Sequence, residues 1–246
     1  MTTSYSVASA RKLYPSHIPT QAWEKAFLTV ACSLKAIHDP LRADMVAAVG
    51  ETLGPPALGR MRLQLLATPT GRRILRDRPL ISSQTLSPTY LSSLSPSTFG
   101  GAYYHHFMHP HGYLPESRAP VRFVDDGELA YIMLRYRQVH DFWHALTGLP
   151  PTVEGELALK VFEYVQTGLP MTLLAGLVAP VQLGRRQQKR LYGELVPWAI
   201  RAGIKAKPLM GVYYEEWLER DLNEMRRELR IEVAPEIEDS TLTNAK

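Results

Sequence analysis

The chain has 246 residues, of which 45% are hydrophobic, and a formal net charge of +4. That length and apolar share support one sizeable domain with its own core and set aside a wholly disordered chain. A single cysteine, Cys32, excludes an internal disulfide framework and a thiolate zinc site, and so modest a charge gives no reason to expect a nucleic-acid partner.

Along the chain, the segment before Glu24 carries Arg11 and Lys12 among Ser and Thr, so residues 1–13 read as a short mitochondrial presequence or a disordered N-terminus. Thr20 is the predicted N-cap of a helix through about Lys35, carrying Trp23, Phe27, Val30 and Leu34. A second helix through Met45 and Val49 is expected to stop near Gly50 or Gly54, and a third runs through Met61 and Leu66. Two basic clusters, Arg72, Arg73, Arg76 and Arg78, and Arg185, Arg186, Lys189 and Arg190, suit anionic lipid or phosphate as well as a solvated helix face.

Residues 79–120 are rich in Ser, Pro, Gly, Tyr and His and read as loops with short helices, as at Ser87–Leu94. His105, His106, His109 and His111 in this stretch read as surface histidines on an aromatic loop, with a second metal site as the alternative. After Asp125 and Asp126 a helix is expected through Tyr136, His140 and Trp143 to Gly148, and a further one begins near Thr152. The apolar stretch Gly168–Gly184 contains Pro170 and Pro180 and falls short of the ~20 residues a membrane-spanning helix needs. Leu191–Ile200 and Tyr213–Ile231 are expected as helices, and residues 235–246 as a disordered tail. Helical periodicity dominates throughout, so the predicted fold is all-α: a single multi-helix domain over residues 14–234.

The residues that carry chemistry sit at one helical turn-around. His140 and His144 are one turn apart and project from one helix face. Gly148 and the Pro150-Pro151 turn send the chain back, which brings Glu156 level with His144 in a helical hairpin metal site. Asp141 lies about 100° around the helix from His140, so it is either a ligand, a partner for an imidazole N–H, or a general base toward a bound water. Two imidazoles with one or two carboxylates suit a divalent metal, zinc first, with iron, cobalt or manganese also accommodated. An unrelated zinc hydrolase is disfavoured, because Asp141 stands where the helical metalloprotease motif places Glu.

The pattern His140-Asp141-x2-His144-x11-Glu156 resembles the signature of the Coq-four family of coenzyme Q biosynthesis proteins. So do the segments Tyr14 to Thr20, Arg118 to Pro120, Arg122 to Asp126, Val165 to Met171 and Glu194 to Ala199, and the likeness covers most of the chain. The resemblance implies an all-α fold at the matrix side of the mitochondrial inner membrane, as a peripheral protein. Other coenzyme Q biosynthesis enzymes in a multisubunit complex, a prenylated quinone precursor and inner-membrane lipid are the implied partners, with a homodimer as an option. It further implies a metal-dependent oxidative C1 decarboxylation of a polyprenylated hydroxybenzoate, for which His140, Asp141, His144 and Glu156 would be both metal-binding and catalytic residues. The alternative is a non-catalytic lipid-binding scaffold for the biosynthetic complex. The apolar Gly168–Leu183 run offers surface for a prenyl tail.

Overall fold

A computed structural model describes residues 12–38, 42–114, 119–178 and 183–237, with the side chains of residues 43 and 175–178 outside that description. The presequence reading falls almost wholly on residues 1–11, the tail reading largely on 238–246, and part of the expected tail-binding run on 179–182, all outside the described residues. The fold is a single all-α domain, and among the described residues the only β-type pairing is an isolated bridge, Thr98 to Asp221.

Helices α1 (Ala22–His38), α2 (Ala43–Leu53), α3 (Pro55–Leu66) and α4 (Pro69–Asp77) come first, followed by the short α5 (Pro88–Ser93). Next, α6 (Phe99–Ala102) runs into a π-helical segment, Tyr103–Met108, and ends in α7 (His109–His111). The histidine-rich stretch is therefore helical where a loop was expected. Thr98 caps it, its side chain accepting from the Gly101 N–H.

Helix α8 (Gly127–Thr147) is the centre of the domain. Asp126 caps it by accepting the N–H groups of Glu128 and Leu129, and Gly148, with φ +76°, closes it by donating to the His144 carbonyl. It is buried on all sides, so its charged groups need partners from neighbouring elements. Arg135 makes a bidentate pair with Glu215, and Arg137 reaches Glu51 at 2.7 Å. The Glu51 carboxylate also accepts the Arg122 and Phe123 N–H groups, both at 2.7 Å, fixing the strap that leads into α8.

α9 (Val153–Thr167) returns antiparallel to α8, followed by α10 (Pro170–Val178), α11 (Arg185–Arg190), a π-helical turn (Leu191–Leu195), α12 (Val196–Lys205) and α13 (Leu222–Leu229). The expected continuous helix Tyr213–Ile231 is not formed: only a 3₁₀ turn, Tyr214–Glu216, and α13 are helical. Its middle pairs elsewhere, since Phe99 N–H donates to Arg220 O, Gly100 N–H to Leu218 O, and Leu222 N–H to Ser97 O. These tertiary backbone bonds replace the intrahelical ones.

The basic clusters are partly consumed internally. Arg73 pairs with Glu216 and sits 4.1 Å over the Tyr213 ring, Arg76 bonds Asp77, and Arg190 lies 3.8 Å from the buried Glu154. Arg185, Arg186 and Lys189 stay exposed.

Candidate metal centre

Two sequence features build the α8–α9 hairpin. Gly148 takes the left-handed conformation that ends α8, and Thr152 caps α9 by accepting the Gly155 N–H at 3.2 Å. Gly155 is there for space, because a Cβ at that position would stand 2.1 Å from the Pro150 carbonyl oxygen. The tight turn places Glu156, in the first turn of α9, opposite His144, in the last turn of α8.

His144 Nε2 lies 3.1 Å from one Glu156 oxygen and His140 Nε2 lies 3.5 Å from the other. The ligand atoms of His140, His144 and Glu156 all fall within 4.8 Å of one another, and the two imidazole rings are nearly perpendicular at 87°. Both histidines are buried, whereas the Glu156 side chain is 37% exposed, so the cluster opens outward on the carboxylate side. Asp141, the fourth expected residue, is also buried but is not a member of this cluster. The structure thus brings together three of the four predicted residues.

What orients the rings was not legible from the motif. His144 Nδ1 lies 2.9 Å from the Leu149 carbonyl, which can only accept, so Nδ1 carries the proton. His140 Nδ1 is 2.5 Å from the Glu163 carboxylate. The other Glu163 oxygen accepts from Tyr136 OH at 2.7 Å and from Lys160 Nζ at 2.8 Å. With both Nδ1 atoms engaged on the outer side, the two Nε2 atoms are the ones turned toward Glu156. This is the arrangement in which an outer carboxylate or carbonyl fixes the tautomer of a metal-binding imidazole. A sequence signal for Glu163 existed: Glu156, Lys160 and Glu163 repeat at the spacing of one α9 face.

Electrostatics favour the ligand-competent forms. Burial pulls the His144 imidazole below its ordinary pKa, which keeps it neutral. Desolvation would raise Glu156, but the two histidines beside it, His144 first, outweigh this and hold its carboxyl well below the usual range. Glu163 is likewise raised by burial, yet Lys160 and His140 outweigh this and bring it to about 2. Two imidazole nitrogens beside an ionised carboxylate make a donor set that fits a divalent cation.

The π-helical segment walls the cluster on one side, with Phe107 stacked on the His144 ring at 4.8 Å between centroids. The nearby histidines do not form a second centre among the described residues. His105 and His111 contact the Leu94 and Phe107 carbonyls, and His106 and His109 are exposed.

Residues 14–235 match the family model described as coenzyme Q (ubiquinone) biosynthesis protein Coq4. A protein of Meyerozyma guilliermondii named "Ubiquinone biosynthesis protein COQ4, mitochondrial" is 46% identical over 225 residues, covering 91% of this chain and 72% of the relative. One of the same name from Blastomyces gilchristii is 50% identical over 220 residues, covering 89% and 77%. A crystal structure of a candidate ubiquinone biosynthesis protein from Nostoc punctiforme superposes with a TM-score of 0.66 over 83% of this chain and 97% of that one. At 18% identity that likeness shows the fold. By the extent of its family match and the identity to these relatives, the chain belongs to the Coq4 family of coenzyme Q (ubiquinone) biosynthesis proteins.

Proposed function

We propose that this chain is a mitochondrial, metal-dependent enzyme that carries out the oxidative C1 decarboxylation, decarboxylation with hydroxylation, of a polyprenylated 4-hydroxy-3-methoxybenzoate-type intermediate. The observation that supports it is the convergence of two oriented imidazole Nε2 atoms and the Glu156 carboxylate at a partly open position. His140, His144 and Glu156 would hold the metal, zinc first, with iron, cobalt or manganese as the other candidates. Asp141, buried beside His140, would serve as a further ligand, an orienting group or a base. When bound, the cation would supply Lewis acidity toward an oxygen substituent of the aromatic ring. Glu163 and the Leu149 carbonyl keep the imidazoles in register, and Phe107 shields His144 from water.

In this reading the protein works peripherally on the matrix side of the inner membrane, with the other biosynthetic enzymes as partners. No helix among the described residues is long and apolar enough to cross a membrane, which accords with a peripheral location. The names of the relatives support the mitochondrial part.

The test is metal analysis coupled to turnover of a prenylated hydroxybenzoate, comparing the intact protein with His144→Ala and Glu156→Ala. Loss of both metal and product with the fold retained is the expected result; normal product formation by either variant refutes the assignment. A second reading, a non-catalytic lipid-binding scaffold, is favoured by the apolar side chains left outside, Ile200 and Ile204 on α12 among them. A metal-loaded protein without turnover would select it.

A further inference from the structure

Helix α1 is amphipathic in the wrong sense for a helix that only packs on its own domain. Trp23, Phe27, Val30, Leu34 and Ile37 are each between 54% and 68% exposed. At 100° per residue these five lie within an arc of about 80°, forming a straight stripe about 21 Å long. Cys32, at the opposite pole, is the helix's buried residue. The inward side is held by polar contacts: Lys25 pairs with Asp125, and Thr29 bonds Thr52 across to α2 at 2.7 Å. The bulkiest apolar side chains therefore face away from the core, which is the pattern of a helix that meets a second apolar phase.

The chemistry of the stripe's edges points to which phase. Beside the stripe, the exposed side chain of α1 with a formal charge at neutral pH is cationic, Lys35, near its C-terminal end. Its one carboxylate, Glu24, is turned back to accept the Gln21 N–H at the N-terminus. Leu13 and Ile18, just ahead of the helix in sequence, are exposed as well. A straight apolar row that contains an indole and has a lysine at its edge matches a flat anionic leaflet.

We propose that the outward face of α1 lies in the plane of an anionic lipid leaflet, with Trp23, Phe27, Val30, Leu34 and Ile37 among the acyl chains and Lys35 at the headgroups. The proposal deepens the peripheral location given above and rests on that reading. His17 and Lys25 both bind Asp125, and Ser16 donates to the Val121 carbonyl, so α1 is fastened to the domain and its contact sets how the whole body sits on the bilayer.

The experiment is co-sedimentation of the full chain with vesicles of phosphatidylcholine and phosphatidylglycerol. The variants are Phe27→Ser/Val30→Ser/Leu34→Ser and, as a control on another apolar surface, Ile200→Ser/Ile204→Ser. The intact chain and the α12 control are expected to bind, and the α1 variant to bind about 100-fold more weakly. Quenching by brominated lipid, read as the difference between the intact chain and Trp23→Phe, reports the same contact without the triple substitution and is expected to be strong. Undiminished binding by the α1 variant, or no quenching of Trp23, overturns the α1 assignment and leaves the peripheral location standing. Failure of the intact chain to bind vesicles overturns both. A dimer that the α1 substitutions split, with vesicle binding intact, gives the stripe to a second copy and also overturns the proposal.

Discussion

Glu163 and His140 form a buried carboxylate–imidazole pair, 2.5 Å from oxygen to Nδ1, on the side of the ring away from Glu156. Glu163→Gln keeps the volume and one acceptor but loses the charge that Lys160 and His140 face. Metal affinity is expected to fall about 10- to 100-fold with α-helical content unchanged. Calorimetric metal titration against the intact chain checks this, and unaltered affinity would remove Glu163 from the site.

Gly155 gives a way to disturb the centre without touching a ligand. In Gly155→Ala the new methyl meets the Pro150 carbonyl, so the turn must open and carry Glu156 away from His144. We expect a loss of metal affinity of about tenfold or more, together with roughly 1–3 kcal/mol of stability from overpacking. Denaturation and titration of the same preparation measure the two effects.

The Arg137–Glu51 pair is a structural counterpart, remote in role from the chemistry. Glu51→Ala leaves a buried guanidinium uncompensated and two backbone N–H groups, those of Arg122 and Phe123, without their acceptor. The expected cost is about 3–5 kcal/mol in chemical denaturation, with the midpoint rather than the slope moving. A change below about 1 kcal/mol would contradict the burial argument.

Asp125 predicts part of the acid limb. Desolvation raises its carboxyl, but hydrogen bonds from Lys25 and His17 outweigh this, and the folded-state value lies below the ordinary one. A depressed carboxyl contributes stability that is complete above its unfolded pKa, near 3.9, and is lost as pH falls toward the folded value. Asp125→Asn is therefore expected to lower stability at neutral pH by no more than about 1 kcal/mol, given the partial exposure of the pair. The same substitution should flatten the decline below about pH 4. Parallel melting curves across that range would show the two profiles converging, and a constant offset would count against the clamp.

The α8–α9 hairpin was legible in the sequence because its signals are local: an i,i+4 histidine pair, Gly148 as a left-handed stop, and Thr152 as a cap. The spacing of Glu156, Lys160 and Glu163 puts Glu163 on the face of the site, but its burial depends on Tyr136 and Lys160 closing over it and has no local mark. Residues 213–231 have helical periodicity, yet backbone groups of Leu218, Arg220 and Leu222 bond to residues 97–100, a choice made by tertiary contact. The π-helical run was hidden for a different reason. Its Ser, Pro and Gly surroundings read as a loop, and its hydrogen-bond register has no compositional mark.

That register carries a consequence for the chain as a string of counted residues. A π-turn is an α-turn with one residue too many, and here the extra residue falls between Tyr104 and His109, whose carbonyl and N–H close the wide ring. An extra residue in a regular helix would turn one flank by about 100° relative to the other; the wide ring takes up that rotation locally, so removing the exposed His106 would return the segment to the ordinary register with its flanks in place. Phe107, inside the wide ring, is the side chain whose direction toward the His144 ring depends on that register. The wall of the metal centre is in this sense written as an arithmetic of spacing, sensitive to a single-codon deletion at a position where most substitutions would pass unnoticed.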